Sequence, residues 1–383
     1  MPAHTGHAEI AGGGIGGLTA AAALARRGWS VRLHEREESL RAFGSGIYLW
    51  SNGLAVLAQL GVLEQTVDGA HHGGFIQTRD HRDRVLSRIP INRPGGVEVL
   101  TVLRERLINA LLGAARTAGV RIVTGSAAVR ADPSGVLELA DGTRHHADLV
   151  VAADGAGSRL RDGLGLLRGR RALGQRCARF LIPRTPGLVP EQDAEDYIEF
   201  LSGNRFLLYT PSSATDLYIA LVCPEDDAAA IGDPVPQQPW ISAFPQAEPL
   251  LRELGAAPRW DEFECLDLRS WSAGRVAILG DAAHAQPPYL GQGGGCAMLA
   301  AAGLAHSVTH GAGTLENRLR QWETRERPLI ARTQRFSYRV GRLNDLADRP
   351  RAALLRVLGR SRRFADARLR AARAIPAGTD QIR

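Results

Sequence analysis

Three glycine-centred stretches carry most of the chemistry that this sequence can offer. The first, Gly12-Gly13-Gly14-Ile15-Gly16-Gly17, has Gly-x-Gly-x-x-Gly spacing, and Glu35 stands 18 residues beyond Gly17. Gly12 permits a tight turn, Gly14 lets a pyrophosphate approach the backbone, and Gly17 lets helix and strand pack closely. An acid at the position of Glu35 accepts hydrogen bonds from an adenosine ribose. The second is Ala153-Asp154-Gly155 followed by Ser158, Arg159 and Arg161. It reads as a strand end and a helix start, and its plainest role is an Asp N-cap. The third is Leu279–Met298, which passes from Gly280-Asp281 through His284, Pro288, Gly291 and Gly293 into an Ala-rich run. Free N–H groups at such a helix start suit a phosphate or a developing negative charge. Taken alone, it is equally an ordinary turn between strand and helix.

The elements around these residues follow from hydrophobic pattern and punctuation. Ala8–Ala11, Ser30–Glu35, Leu149–Ala153 and Arg275–Leu279 read as short buried strands. Leu18–Arg27, Ser51–Leu63 and Leu100–Ala118 read as helices, with Arg104 near the start of the last. Gly44 and Gly46 break the pattern just after Arg41, where a plain NAD domain would carry a crossover helix; a longer cofactor needs such extra backbone contacts. Residues 168–267 alternate in short runs between Pro-rich breaks and read as an inserted, mostly antiparallel sheet. The expected fold is therefore α/β, a doubly wound dinucleotide-binding sheet with an inserted antiparallel substrate sheet and a C-terminal helical segment. The expected division is residues 1–70, 96–167 and 268–330 for the cofactor, 71–95 and 168–267 for the substrate, and 331–383 for the helical tail.

Composition excludes several classes. All 47 basic residues are Arg, so Schiff-base and P-loop lysine chemistry is absent. The four cysteines are dispersed, and His71-His72 has no carboxylate at ligand spacing; no disulfide framework or metal site is expected. No apolar run reaches the ~18 residues of a membrane span, and Met1–Glu9 lacks the features of a secretory signal. A cytoplasmic chain with no membrane or nucleic-acid partner, monomeric or homodimeric, is expected. The formal charge of +7 is concentrated at the end: residues 349–383 carry ten Arg against two Asp. That stretch could touch nucleic acid or anionic lipid, but without interleaved aromatics it reads first as a solvated helix face.

Taken together and in this order, the three stretches resemble the fingerprints of the flavin-dependent aromatic hydroxylases of the p-hydroxybenzoate hydroxylase type, over about residues 8–327. Residues 31–54, 280–284 and 293–298 are most similar to the ring-opening hydroxypyridine branch, the 2-methyl-3-hydroxypyridine-5-carboxylate oxygenase type. The resemblance implies FAD as cofactor, NADH or NADPH docking transiently, and O2. It implies hydroxylation of an electron-rich aromatic or N-heteroaromatic ring through a flavin C4a-hydroperoxide, with ring opening in that branch. Gly12, Gly14, Gly17 and Glu35 would hold the ADP half, and Arg41 and Arg104 would lie near ribose and phosphates. Asp154 and Gly155 match the segment linked to FAD and NAD(P)H use. Asp281 would face the ribityl–pyrophosphate region, and Pro288, Gly291 and Gly293 would line the flavin ring. Arg179 and Tyr209 match substrate-sheet positions, and His284 is a candidate proton relay. The chain departs from that branch at Phe75-Ile76, which lacks a Tyr, and along Gln286–Gly291. An epoxidase or natural-product hydroxylase on the same scaffold, or a flavin-binding redox sensor, stays open. A disulfide reductase lacks its cysteine pair, a halogenase its lysine, and a Baeyer–Villiger oxygenase its second glycine motif.

Overall fold

The computed structural model describes residues 5–40, 45–255 and 260–378. Its organising layer is a six-stranded sheet in the order Ser272–Ala273, Val276–Ile278, Leu149–Ala152, His7–Ala11, Ser30–His34 and Arg121–Val123. All neighbours are parallel except the first pair. Leu149–Ala152 and Val276–Ile278 are continuous apolar runs because both faces are covered, whereas His7–Ala11 and Ser30–His34 bury a Glu9–His34 pair at 2.7 Å. The helix Ile15–Ala25 packs against both Arg104–Thr117 and Gly293–His310, and all three share the core with the sheet. Ile15–Ala25 is buried on every side except near its end, which is why Ala fills it.

The inserted sheet has seven strands, ordered Asp261–Leu268, Leu167–Pro183, Asp216–Pro224, Arg205–Pro211, Tyr197–Ser202, Phe75–Asp80 and Val85–Pro90. Only Tyr197–Ser202 and Phe75–Asp80 run parallel. One face buries Leu207, Tyr209, Ile219 and Leu221 beneath Trp240, Phe244 and Leu250 from the short helices Gln237–Ala243 and Glu248–Arg252 and the turn between them. The other face carries Cys177, Phe206, Tyr218 and Val222 towards Tyr289.

A two-stranded ribbon, Gly46–Trp50 with Val99–Leu103, joins the two layers. The helix expected from Leu100 begins instead at Arg104. Val99–Leu103 is drawn into a strand by its partner, so tertiary pairing overrides an apolar pattern that fits a helix as well. The ribbon fastens to the inserted sheet through the Tyr48 and Thr210 hydroxyls at 2.6 Å and through Thr101, which donates to the Pro211 carbonyl. The chain ends in the helices Leu315–Gly341, Asp348–Gly359 and Arg362–Leu369, as the polar helical pattern anticipates. Among the described residues no helix is long and apolar enough to cross a membrane.

Trp240 is fully buried behind the inserted sheet, and its Nε1–H donates to the Ala230 carbonyl at 3.0 Å. Trp240→Ala is expected to cost about 3–5 kcal/mol, read as a lowered denaturation midpoint in urea.

Candidate active site

The parallel register decides where the chemistry gathers. Ala11 lies opposite Ala152 and His34, and Ala152 lies opposite Ile278. The segments that follow, Gly12–Gly17, Glu35, Asp154-Gly155 and Gly280-Asp281, therefore leave the carboxyl ends of four adjacent strands side by side. This is where open α/β sheets bind ligands.

The first loop is built by missing side chains. Gly12 has φ +106°, and a Cβ there would lie 2.3 Å from the Ala153 carbonyl oxygen. A Cβ at Gly17 would lie 1.9 Å from the Gly12 carbonyl oxygen. At Gly14 a Cβ would meet nothing within 4 Å, so the backbone there faces open space. The helix that starts behind it has no side-chain cap, which leaves its first N–H groups for a ligand. Glu35 fixes the loop, accepting from Gly13 N at 2.7 Å and Glu37 N at 3.1 Å.

The second and third loops are tied by Arg161, whose side chain is fully buried. Its guanidinium donates to the Ala156 carbonyl at 2.8 Å, to the Ala282 carbonyl at 3.1 Å and to Asp162 at 2.8 Å. The cap of the short helix Arg159–Gly163 is Ser158, which accepts from Arg161 N at 3.0 Å, rather than Asp154. Asp154 still bonds Ser158 and the Leu160 backbone, its Oδ1 is buried without a partner among the described residues, and burial pushes its carboxyl upward.

Asp281 begins the turn Asp281–His284 and is reachable by solvent. Desolvation by the surrounding protein nevertheless raises its pKa, opposed by the charge of Arg104. The Asp281 carboxylate is thus exposed at the strand ends yet crowded by the protein around Arg104. Arg104, the first residue of its helix, is desolvated too and feels Asp281, Arg179, Tyr218 and Asp261. Its backbone N–H donates to the Ser45 carbonyl at 2.9 Å. Arg179 ion-pairs with Asp261 on the neighbouring strand and hydrogen-bonds Tyr218; these partners hold it charged. Burial pushes the Tyr218 phenol up to about 12, so it stays protonated.

Gly291 and Gly293 follow in the same loop. Gly291 has φ +61°, and its carbonyl accepts from Trp50 Nε1 at 3.1 Å. A Cβ on Gly291 would press on Tyr48 at 3.2 Å, whereas one on Gly293 would meet nothing within 4 Å. The helix Gly293–His310 has no side-chain cap, so its leading N–H groups are free for negative charge. Pro288 is exposed at the edge of this loop.

The structure thus brings Gly12, Gly14, Gly17, Glu35, Asp154, Gly155 and Asp281 to adjacent strand ends. Arg104 and Arg179 lie within electrostatic reach of Asp281 or of each other. It does not bring Tyr209 there. That ring lies on the far face of the inserted sheet, 6.2 Å from the Phe200 ring, with its hydroxyl unpartnered among the described residues. His284 turns inward onto Trp271, ring centroids 5.2 Å apart, and burial lowers its pKa to about 4. Arg41 lies outside the described residues. Tyr218 and Asp261 escaped the sequence reading, since their approach to Arg179 depends on strand pairing that no local spacing records.

Uncapped helix starts and glycine cradles fit the phosphates of a long dinucleotide, and the Asp154 oxygen left without a partner among the described residues would accept from one of its hydroxyls. Glycine loops at the carboxyl ends of a parallel sheet, beside an inserted antiparallel sheet, define a dinucleotide-binding fold. The chain belongs to the FAD binding domain family, which matches residues 7–337. It is 57% identical over 378 residues to a Rhodococcus erythropolis protein provisionally named 2-heptyl-3-hydroxy-4(1H)-quinolone synthase, covering 99% of each chain. It is 48% identical to the 2-heptyl-3-hydroxy-4(1H)-quinolone synthase of Mycobacteroides abscessus, covering 95% of this chain and 98% of that one. Among solved structures, 2-methyl-3-hydroxypyridine-5-carboxylic acid oxygenase, described as a tetrameric form, is similar at TM-score 0.86 and 38% identity. That match covers 97% of this chain and 96% of the other. The protein is a FAD-dependent aromatic monooxygenase that uses NAD(P)H and O2.

Two outcomes follow. Gly17→Ala forces a side chain onto the Gly12 carbonyl and should abolish FAD retention through purification, read from the visible spectrum. His284 sits near pKa 4 when folded against 6.5 for the free side chain. The unfolded chain then binds more protons between those values, so stability falls as pH drops from about 6.5 towards 4, by up to about 3 kcal/mol. Melting temperatures at pH 7.5 and 5 should show this loss, and His284→Leu should lessen it.

Proposed function

We propose that this monooxygenase adds one oxygen atom at C3 of a 2-alkyl-4(1H)-quinolone. The balance is quinolone, NAD(P)H, O2 and H+ giving 3-hydroxyquinolone, NAD(P)+ and water. C3 of a 4-quinolone lies between the carbonyl carbon and the nitrogen-bearing carbon and is electron-rich. It therefore suits attack on an electrophilic oxygen. When bound, FAD takes the hydride from NADH or NADPH and supplies that electrophilic oxygen.

The protein's share is binding, orientation and exclusion of water. Gly12–Gly17 and the helix start behind it would hold the pyrophosphate, and Glu35 the adenosine ribose. Arg104 and Asp281 would flank the middle of the cofactor. The N–H groups leading the Gly293–His310 helix would hold negative charge at the reduced ring. The inserted sheet would close the opposite side, with Tyr218 as a protonated phenol able to donate a hydrogen bond.

The observation that carries the substrate assignment is the Arg179–Asp261 pair. An Arg already answered by a carboxylate has little charge left for a substrate carboxylate. The pair suits a neutral ring such as a quinolone. Near-full-length similarity to two proteins named for a 3-hydroxyquinolone product supports the same class.

The test is NADH and NADPH oxidation in air with 2-heptyl-4(1H)-quinolone or 2-methyl-3-hydroxypyridine-5-carboxylate, followed by product mass. The quinolone should stimulate oxidation and gain one oxygen. Stimulation by the carboxylate alone, or a gain of O2 from the quinolone, would overturn the assignment. Asp261→Asn should leave Arg179 unanswered, raise KM for the quinolone several-fold and make aromatic carboxylates better inhibitors.

A further inference from the structure

We propose that the helix Asp348–Gly359 and the turn into Arg362–Leu369 dock the enzyme on an anionic lipid surface. The inward face of the first helix is settled by packing. Arg351, Ala352 and Leu355 are buried, and Ala352 and Leu355 join the core formed with Phe206, Tyr218 and Tyr289. Helical spacing then turns Pro350, Ala353, Leu354 and Val357 outward, and all are exposed. Val357 is 68% exposed and Leu354 38%, beside Leu346 at 36% on the preceding turn.

A row of cations runs alongside this apolar stripe. Arg349, Arg356 and Arg360 lie on one flank, and Arg362 and Arg363 continue it. All five are exposed, and among the described residues none forms an ion pair. The nearby Arg342, Arg351, Arg368 and Arg373 are each matched by a carboxylate. Evolution of a merely soluble face would interleave charges of both signs and avoid a naked Val. Exposed hydrocarbon next to unanswered guanidinium groups matches a surface that offers acyl chains and negative headgroups together.

Other partners fit less well. A nucleic acid offers phosphates but nothing for Leu354 and Val357, and no ring is free to stack on its bases. The aromatic residue here, Phe364, packs on Phe336 with centroids 5.5 Å apart. A second copy would set like charges against each other. The surface stands independently of the quinolone assignment, although a lipid-soluble substrate would be collected there.

Vesicle flotation tests this with the full-length holoenzyme, using phosphatidylcholine vesicles with and without phosphatidylglycerol. Binding is expected only with phosphatidylglycerol, and it should weaken as salt rises. R356Q/R360Q/R363Q should lose about fivefold in partitioning per Arg, roughly a hundredfold in all. L354S/V357S should lose binding while its turnover with soluble substrate is unchanged. The proposal is overturned by absence of binding to anionic vesicles, or by binding that either variant leaves intact. Tighter binding of duplex DNA than of vesicles, or loss of a dimer in either variant, would overturn it equally.

Discussion

How closely the loop after His7–Ala11 can approach the loop after Leu149–Ala152 governs the rest of the molecule. The two backbones meet where any side chain at Gly12 would strike Ala153, and helix Ile15–Ala25 folds back so tightly that Gly17 touches the Gly12 carbonyl. That contact sets the helix start over the strand ends and leaves open space before Gly14. Arg161 then locks the Asp154 loop to the Asp281 turn with a buried fork of hydrogen bonds. A cleft that must hold an extended anion thus rests on missing methyl groups and one buried cation, not on a preformed positive patch.

The cofactor half was legible in the sequence because its signals are local. Glycine spacing, a strand before and a helix after are properties of about thirty consecutive residues, and the parallel register then brings the separate motifs together. The substrate half was not legible for a physical reason. The central strands Tyr197–Ser202, Arg205–Pro211 and Asp216–Pro224 are buried on both faces, so they lack the polar–apolar alternation that would say which side chains point where. Tyr209 and Thr210 are adjacent; the first turns into the far core and the second meets Tyr48 at the ribbon. Tyr218 and Asp261 reach Arg179 only through pairing across three strands. The strand Val99–Leu103 hid in the same way, as an apolar run whose partner lay some fifty residues earlier.

Charge is distributed with the same economy of placement. On this side of the molecule Arg179 ion-pairs with Asp261, and Arg104 feels the opposing charge of Asp281. At the chain's end the balance is reversed, with exposed arginines beside exposed apolar side chains. The inserted sheet connects the two regions, since the core beneath Tyr218 also buries Leu355 of the outer helix. The matched Arg179 and the cationic, apolar exterior both fit the quinolone proposed as substrate.

The most direct test of this account is a crystal structure of the protein grown with FAD. The pyrophosphate should lie at Gly12–Gly17, the middle of the cofactor between Arg104 and Asp281, and the ring beside Gly293 facing the side of the inserted sheet that carries Arg179 and Tyr218. A flavin ring packed on the Tyr209 face, or a pyrophosphate away from the Gly14 opening, would contradict it.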